Sequence, residues 1–142
     1  MSFAAEAQAI ETRFAAQWGS TTAIKWDNIP YSPTAGTTYV ELQIHNSNAN
    51  VIGIAGNSNM HRIRGLISMN VYVALGDGTR SGRELADQAA SIFREAQFTA
   101  SDSSAAEDIA IQCYAANITR IGEVEDWFVY NVTVPFHRNE IF

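Results

Sequence analysis

Residues 61–75 form the longest stretch of the chain in which apolar and polar side chains alternate. Successive side chains of a β-strand point to opposite faces, so this alternation predicts a strand with one face against a hydrophobic core. A strand of this length with two such different faces is expected at the centre of a sheet. Its core face would carry Ile63, Ile67, Met69, Val71 and Val73, and its other face Arg62, Arg64, Leu66, Ser68, Asn70 and Tyr72.

Further segments also show strand patterns. A short strand is predicted over residues 23–26, and residues 38–45 alternate with Val40, Leu42 and Ile44 on one face. Residues 109–115, 118–124 and 127–136 read as three more strands, and Glu125 and Asp126 form a tight hairpin between the last two. The core face of the final strand would carry Phe128, Tyr130, Val132, Val134 and Phe136.

Two helices are predicted where apolar residues recur at spacings of three and four. The first follows a possible N-cap at Ser2 and ends before Gly19. The second follows a glycine-rich turn, with Ser81 as N-cap and Glu84 completing a capping box. Their apolar faces would carry Phe3, Ala7, Ile10, Phe14 and Trp18 in the first helix and Leu85, Ala89, Ile92 and Phe93 in the second.

The order of elements is helix, strands, helix, strands, without the strict alternation of a parallel α/β fold. This order predicts an α+β fold, a mostly antiparallel sheet with two helices packed on one face. The chain has 142 residues, of which 46% are hydrophobic, and this suits one compact domain over residues 1–142.

Several segments lack periodicity and are expected on the surface. Residues 46–59 form a long Asn, Ser and Gly-rich loop, whose apolar centre, Val51, Ile52 and Ile54, would favour a partner over water. Residues 99–108 read as a polar surface loop, and residues 137–142 as an exposed C-terminal tail. The sheet face away from the helices would be partly apolar and uncovered, which suggests subunit contacts through Tyr39, Tyr72 and Trp127.

The charge balance disfavours direct binding of DNA. Nine basic against 15 acidic residues give a net charge of -6, the opposite of the basic surface with which proteins bind nucleic acid. The first residues carry Glu6 and Glu11 and match neither a signal peptide nor a membrane span, so a soluble protein made in a cytoplasm is expected. The single cysteine, Cys113, allows no intrachain disulfide and is expected to be a small buried hydrophobe.

The strongest candidate for a ligand site is the turn GDGTRSG at residues 76–82, between a strand and a helix. It lacks the Gly-Lys-Ser/Thr of a phosphate-binding P-loop, and a dinucleotide site would need a parallel βαβ unit. Ordinary turn chemistry therefore explains the glycines, and Arg80 alone is left without a structural role. His45, His61 and His137 show no metal-binding spacing, so no catalytic, cofactor or metal site is predicted and the protein is not expected to be an enzyme.

Five segments, taken in order, resemble the small tail terminator proteins of long-tailed bacteriophages. They are IETRFAAQW, WDNIPYSPTAGTTYVELQI, HRIRGLISMNVYV, GDGTRSGRELADQAASIF and WFVYNVTVPFHRNE. No segment is a catalytic motif, and the specificity lies in their order and spacing. The resemblance implies a virion protein, assembled in the host cytoplasm, that forms a six-fold ring on the head-proximal end of the tail tube. The ring would stop tube polymerisation and join the head-tail connector, with DNA only in transit through its lumen, no cofactor and no membrane.

Charge and exposure, taken with this resemblance, suggest which residues would form the contacts. Val51, Ile52 and Ile54 would contact a neighbouring ring, and residues 137–142, including Arg138 and Phe142, would order at an interface. Arg62 and Arg64 would pair with acidic residues of an adjacent subunit, and Arg80 would reach across the same boundary. The acidic candidates are Glu123, Glu125 and Asp126. The alternatives are another head-tail connector, a head-closure or minor tail protein or, from a different class, a small α+β hydrolase or nucleotide-binding enzyme.

Overall fold

The computed structural model describes residues 3–54, 56, 58–101 and 109–141. Two helices pack on one face of a mixed, mostly antiparallel sheet, so the predicted α+β class is confirmed. The elements are α1 (Phe3–Trp18), β1 (Ala23–Trp26), β2 (Tyr39–Val51), β3 (Met60–Ala74), α2 (Arg80–Phe93), β4 (Gln97–Ala100), β5 (Ile109–Cys113), β6 (Asn117–Val124) and β7 (Trp127–Ile141).

The sheet is built around its two longest strands. Its order is β1-β2-β3-β7-β5-β4, and β6 pairs with β7 beside β5. β3 is antiparallel to β7 along its whole length, which confirms its predicted central place. The first half of β7 pairs with β6 and its later part with β5, while β1 and β2 form a parallel pair at the opposite edge.

The core lies between the sheet and the two helices. The core positions predicted for β3 are all at most 1% exposed. Phe14 of α1 stacks on Trp18 with ring centroids 5.4 Å apart and on Phe93 of α2 at 6.2 Å. A Cβ atom at Gly82 would lie 2.6 Å from the ring of Tyr130, so the glycine allows α2 to pack closely on β7. α2 buries the apolar face that its periodicity indicated, and α1 buries Ile10, Phe14 and Trp18 of its predicted face. The predicted Phe3 and Ala7 are only half-buried and lie outside the core cluster, whereas Glu6 is buried.

The predicted loop at residues 46–59 is shorter than expected, because β2 continues to Val51. After a bulge that follows Asn46, residues 49–51 pair with residues 63–61 of β3. The backbone N–H of Ile52 then donates to the carbonyl of Met60 at 2.8 Å. Backbone pairing thus makes the first part of the expected loop, residues 46–51, the end of a two-stranded hairpin.

The prediction of an exposed tail at residues 137–142 was also wrong. β7 does not end at Phe136 but continues to Ile141, and this extension pairs with the first residues of β3. Arg138 on this extension is fully buried. Phe142 lies outside the described residues.

Two smaller predictions differ from the structure. α2 begins at Arg80 after Thr79, which makes no side-chain capping hydrogen bond, so Ser81 lies inside the first turn and is not the N-cap. The positive φ angles of the turn fall on Gly76 and Gly78, at 91° and 74°. Thr99, expected in a loop, is in β4, while Ser2 and residues 102–108 lie outside the described part of the chain.

The aromatic part of the second sheet face is covered by the chain itself, contrary to expectation. Tyr39 and Tyr72 stack with centroids 4.4 Å apart, and Trp127 meets Tyr39 edge-on at 5.7 Å. Tyr31, from the segment between β1 and β2, packs on this cluster, and the Trp127 indole N–H donates to the carbonyl of Thr37 at 2.8 Å. Tyr39 and Trp127 are consequently buried.

Candidate assembly surfaces

The end of the β2–β3 hairpin and the end of β7 expose large apolar side chains at one end of the sheet. Met60 pairs in register with Ile141, which places the last residue of β7 beside the hairpin. We call the exposed apolar residues of this end the hairpin tip. They are Val51 (55% exposed), Ile52 (45%), Ile54 (96%), Met60 (38%) and Ile141 (62%). The three residues predicted for ring contact therefore lie together and accessible to a partner.

Arg62 and Arg64 lie on the sheet face away from the helices, near the hairpin tip. The Arg62 Nε donates to the side-chain oxygen of Asn139 at 3.0 Å, and Arg64 lies opposite His137 in the β3–β7 register. Desolvation lowers the pKa of His137, and the positive charges of Arg62 and Arg64 lower it further. His137 is therefore mostly neutral at pH 7, so the positive charge of this part of the sheet face comes from Arg62 and Arg64. The His137 ring also contacts the hydroxyl of Tyr114.

The acidic residues predicted to pair with these arginines lie at the other end of the sheet. Glu123, Glu125 and Asp126 are exposed at the β6–β7 hairpin. Asp126 precedes β7, and His137, the register partner of Arg64, lies eleven residues further along the chain, a distance of about 36 Å at 3.3 Å per residue. The two groups cannot meet within one subunit, so any pairing between them joins different subunits.

Arg80 has a partner inside its own helix. Its Nε donates to Glu84 Oε1 at 2.9 Å, one helical turn away, and both side chains are mostly exposed. Exposed pairs at this spacing contribute only about 0.3–0.5 kcal/mol. This weak ion pair does not prevent Arg80 from contacting another subunit, so that contact stays a prediction.

Arg138 was predicted at an interface but is used inside the subunit. Its Nε donates to Glu6 Oε1 at 2.8 Å, its Nη1 donates to Glu140, and its guanidinium lies 4.9 Å from the ring centre of Phe3. The amide of Asn46 donates to the second Glu6 oxygen at 2.9 Å. This buried network joins α1 to the base of the hairpin, and a fully buried guanidinium does not reach a neighbour. The alternation of positions 136, 138 and 140 was its only sequence signal.

The glycine-rich turn does not belong to a nucleotide-binding unit. α2 leads from β3 to β4, and every neighbouring pair from β3 through β7 and β5 to β4 is antiparallel. β4 therefore runs opposite to β3, whereas a dinucleotide fold needs parallel strands around the helix. Gly76 and Gly78 border open space and serve the reversal of the chain.

The remaining candidates for chemistry are inert in the described part of the chain. Cys113 is buried as predicted, and burial raises the pKa of its thiol to about 12, with Arg13 opposing the shift, so the reactive thiolate is absent at neutral pH. Among the described residues no group of three or more His, Cys, Asp or Glu side chains could hold a metal ion. Neither described helix has the length and apolarity to cross a membrane.

Comparison with known proteins adds a family and a fold. A family model described as phage tail terminator protein matches residues 6–136, which reaches every helix and strand. Twelve solved chains are significantly similar; one of them, 18% identical, covers 97% of this chain and 96% of its own length with a TM-score of 0.72. At that identity the likeness shows the fold alone. No curated protein matches the sequence significantly.

Proposed function

Because this chain belongs to the phage tail terminator family, we propose that it forms a ring that caps the head-proximal end of the tail tube. The family makes the protein a structural virion component. In the proposal six subunits form the ring, after synthesis in the host cytoplasm. One ring face binds the last ring of tube protein and ends polymerisation, and the other face joins the head-tail connector.

The hairpin tip is the observation that carries this proposal. Exposed apolar side chains that lie together mark a surface that is covered in the working state of a protein. Burial of one Ile or Val side chain stabilises a contact by about 1.5–3 kcal/mol, and a ring repeats that contact in every subunit. The ends of three strands, β2, β3 and β7, place these side chains together at one end of the sheet.

The charge of the subunit supports the passage of DNA without its retention. Each subunit carries a net charge of -6, so the ring as a whole repels the phosphate backbone. Affinity for DNA depends on basic groups that neutralise phosphates, which this composition does not favour. The ring is thus suited to a lumen through which DNA moves, and the structural family favours a role without catalysis.

The test is a tube-growth assay with purified tail tube protein from the same phage. The wild-type protein should stop elongation and be visible at one tube end by electron microscopy. Ile54→Ser removes the most exposed apolar side chain of the hairpin tip, so it should keep the fold but leave tubes too long. Leu75→Ser, exposed at the opposite end of β3, is the matched control and should cap normally. Normal capping by Ile54→Ser would refute a docking role for the tip.

The same material separates a terminator from a head-closure protein. A terminator binds isolated tail tubes at one end, and filled heads should recruit it only through a completed tail. Binding to the portal vertex of tail-free heads, without binding to tubes, would instead assign the protein to head closure.

A further inference from the structure

A positively charged cleft lies between α2 and β6, at one edge of the sheet. It encloses about 370 Å³ and is lined by Arg83, Asp87, Ile118, Arg120 and Tyr130. We call it the basic cleft. Arg120 is held over the Phe128 ring, 5.0 Å from its centre. Within the described residues neither Arg83 nor Arg120 forms an ion pair, although Asp87 is nearby.

Two further features show that groups at the basic cleft lack a partner of opposite polarity within the described residues. Tyr130 is 2% exposed, and its hydroxyl has no hydrogen-bond partner in the part of the chain that the structure describes. A buried hydroxyl left unpaired costs about 1–3 kcal/mol. The first turn of α2, which contributes Arg83, contains no acidic residue and no side-chain cap, so the positive end of its dipole is not neutralised. A carboxylate would complement both the guanidinium groups and the phenol.

A complementary acidic feature lies at the opposite edge of the sheet. A notch of about 150 Å³ beneath α1 is lined by three carboxylates, those of Glu6, Glu11 and Asp27, and by apolar residues of β2. Glu6 is already paired with Arg138. Glu11 and Asp27 form no ion pair within the described ranges. We call this cavity, with the carboxylates of Glu11 and Asp27, the acidic notch.

The strand register places the basic cleft and the acidic notch at the same level along the strand direction. Asp27 follows Trp26, the last residue of β1, and Ile118 lines the basic cleft. The residues paired in turn across the sheet from Trp26 are Leu42, Met69, Val132 and Ile118. Four strand spacings of about 4.8 Å separate the two edges, roughly 19 Å. Both features open on the helix-covered side, since Asp27 meets α1 and Arg120 is paired with the core residue Tyr130.

This arrangement is what a closed head-to-tail ring requires. Such a ring uses two different, complementary patches, and pure rotation relates each subunit to the next without a shift along the ring axis. With the strands running along that axis, patches at equal height on opposite edges meet. Resting on the ring proposed above, we propose that the basic cleft of one subunit binds the carboxylates of the acidic notch of the next copy of this chain.

Two reversals of charge test the proposal. Arg120→Glu places a carboxylate in the cleft opposite Asp27 of the next subunit, and Asp27→Arg places a guanidinium in the notch opposite Arg120. Each variant alone therefore brings like charges together at these two positions. Both positions are exposed, so each variant should keep the wild-type circular dichroism spectrum. Each should need a concentration about tenfold or more above that of the wild type to assemble in sedimentation, since close charge pairs at interfaces couple by about 1.5 kcal/mol or more. Arg94→Glu, at the far end of α2, is the control and should assemble normally.

Mixing the two variants gives the decisive result. In an alternating ring, position 120 of each cleft faces a position 27 of opposite charge, so an equimolar mixture should assemble at the wild-type concentration. Native mass spectrometry should then count equal numbers of both variants. Assembly of either variant alone at the wild-type concentration, or a mixture that stays unassembled, would overturn the proposal. Wild-type protein that forms no ring even with tubes present would instead refute the proposed ring, and this inference with it.

Discussion

The buried network around Arg138 predicts a large and specific loss of stability in Arg138→Met. The guanidinium is completely shielded from water and satisfies two carboxylates, on Glu6 and Glu140. Methionine fills part of the same volume but leaves both carboxylates buried without their cation. Loss of one partner of a buried ion pair typically costs about 3–5 kcal/mol.

The structure favours the lower end of that range. The second terminal nitrogen of Arg138, Nη2, has no hydrogen-bond partner among the described residues, so the wild-type network already forgoes one hydrogen bond. A chain of 142 residues has an unfolding entropy of about 0.3 kcal/mol/K near 60 °C. A loss of about 3 kcal/mol therefore lowers Tm by roughly 10 °C.

Calorimetry and urea unfolding measure this loss of stability. All variants are compared at equal protein concentration, because ring formation would make Tm depend on concentration. Arg64→Met, an exposed arginine on the neighbouring strand, is the matched control and should change stability by less than about 0.5 kcal/mol. A second variant, Arg138→Met with Glu6→Gln and Glu140→Gln, should recover part of the loss, because no uncompensated charge remains buried. Equal stability of Arg138→Met and the Arg64→Met control would show that the network does not hold α1 to the sheet.

Further predictions concern packing, assembly and the thiol. Gly65→Ala should destabilise the fold by about 1–3 kcal/mol in urea unfolding, because the new Cβ would lie 2.5 Å from the Phe136 ring; unchanged stability would contradict this packing. Arg62→Glu with Arg64→Glu should leave a folded subunit that still forms rings, because Glu123, Glu125 and Asp126 lie about 36 Å away along the strands and rotation about an axis parallel to them does not bring the two groups together. Loss of rings in size-exclusion chromatography and electron microscopy would favour the charge pairing and contradict that ring geometry. Cys113 should resist a thiol reagent at pH 8 until the protein unfolds. Its raised pKa also means that its neutral form stabilises the fold below about pH 9, and that this contribution is lost as pH rises from about 9 to 12.

Sequence patterns predicted the centre of the fold well. The alternation in β3 and the spacing of three and four in α1 report burial directly, because apolar residues there face a core made by distant parts of the chain. The closing hairpin of β6 and β7 was equally visible, because strand patterns lie on both sides of Glu125 and Asp126. In the structure Glu125 has the positive φ of a tight turn, at 53°.

The ends of the strands were missed because their stabilisation is not apolar. Residues 137–141 continue the period of two with Arg138 and Glu140 at the core positions, and the partner of Arg138 lies 132 residues away in the sequence. Asn46 marks the other case, where β2 continues past a bulge with polar side chains and only backbone pairing with β3. Hydrophobic periodicity carries no signal for either kind of contact.

The candidate assembly surfaces were predicted only in part, because hydrophobic patterns report apolar residues but not charged residues that packing brings together. Val51, Ile52 and Ile54 stood out as an apolar centre among polar residues, and the structure leaves them exposed. The basic cleft could not be seen, because Arg83 and Arg120 are 37 positions apart in the sequence and only the packing of α2 against the sheet brings them to one cavity.

The central place of β7 has a consequence for how the chain reaches its native state. β3, β5 and β6 all pair with this strand, and all three precede it in the chain. Until β7 enters, β3 has one open edge and β5 and β6 have no place in the sheet. Completion of the sheet therefore requires the pairing of β7 with β3, which lies far earlier in the sequence. Topologies dominated by such non-local pairings fold slowly, on the order of milliseconds to seconds. The open edges are meanwhile templates for aggregation. Synthesis of this protein therefore passes through a period in which the nascent chain is most exposed to misassembly, and the insertion of β7 into the middle of the sheet ends that period.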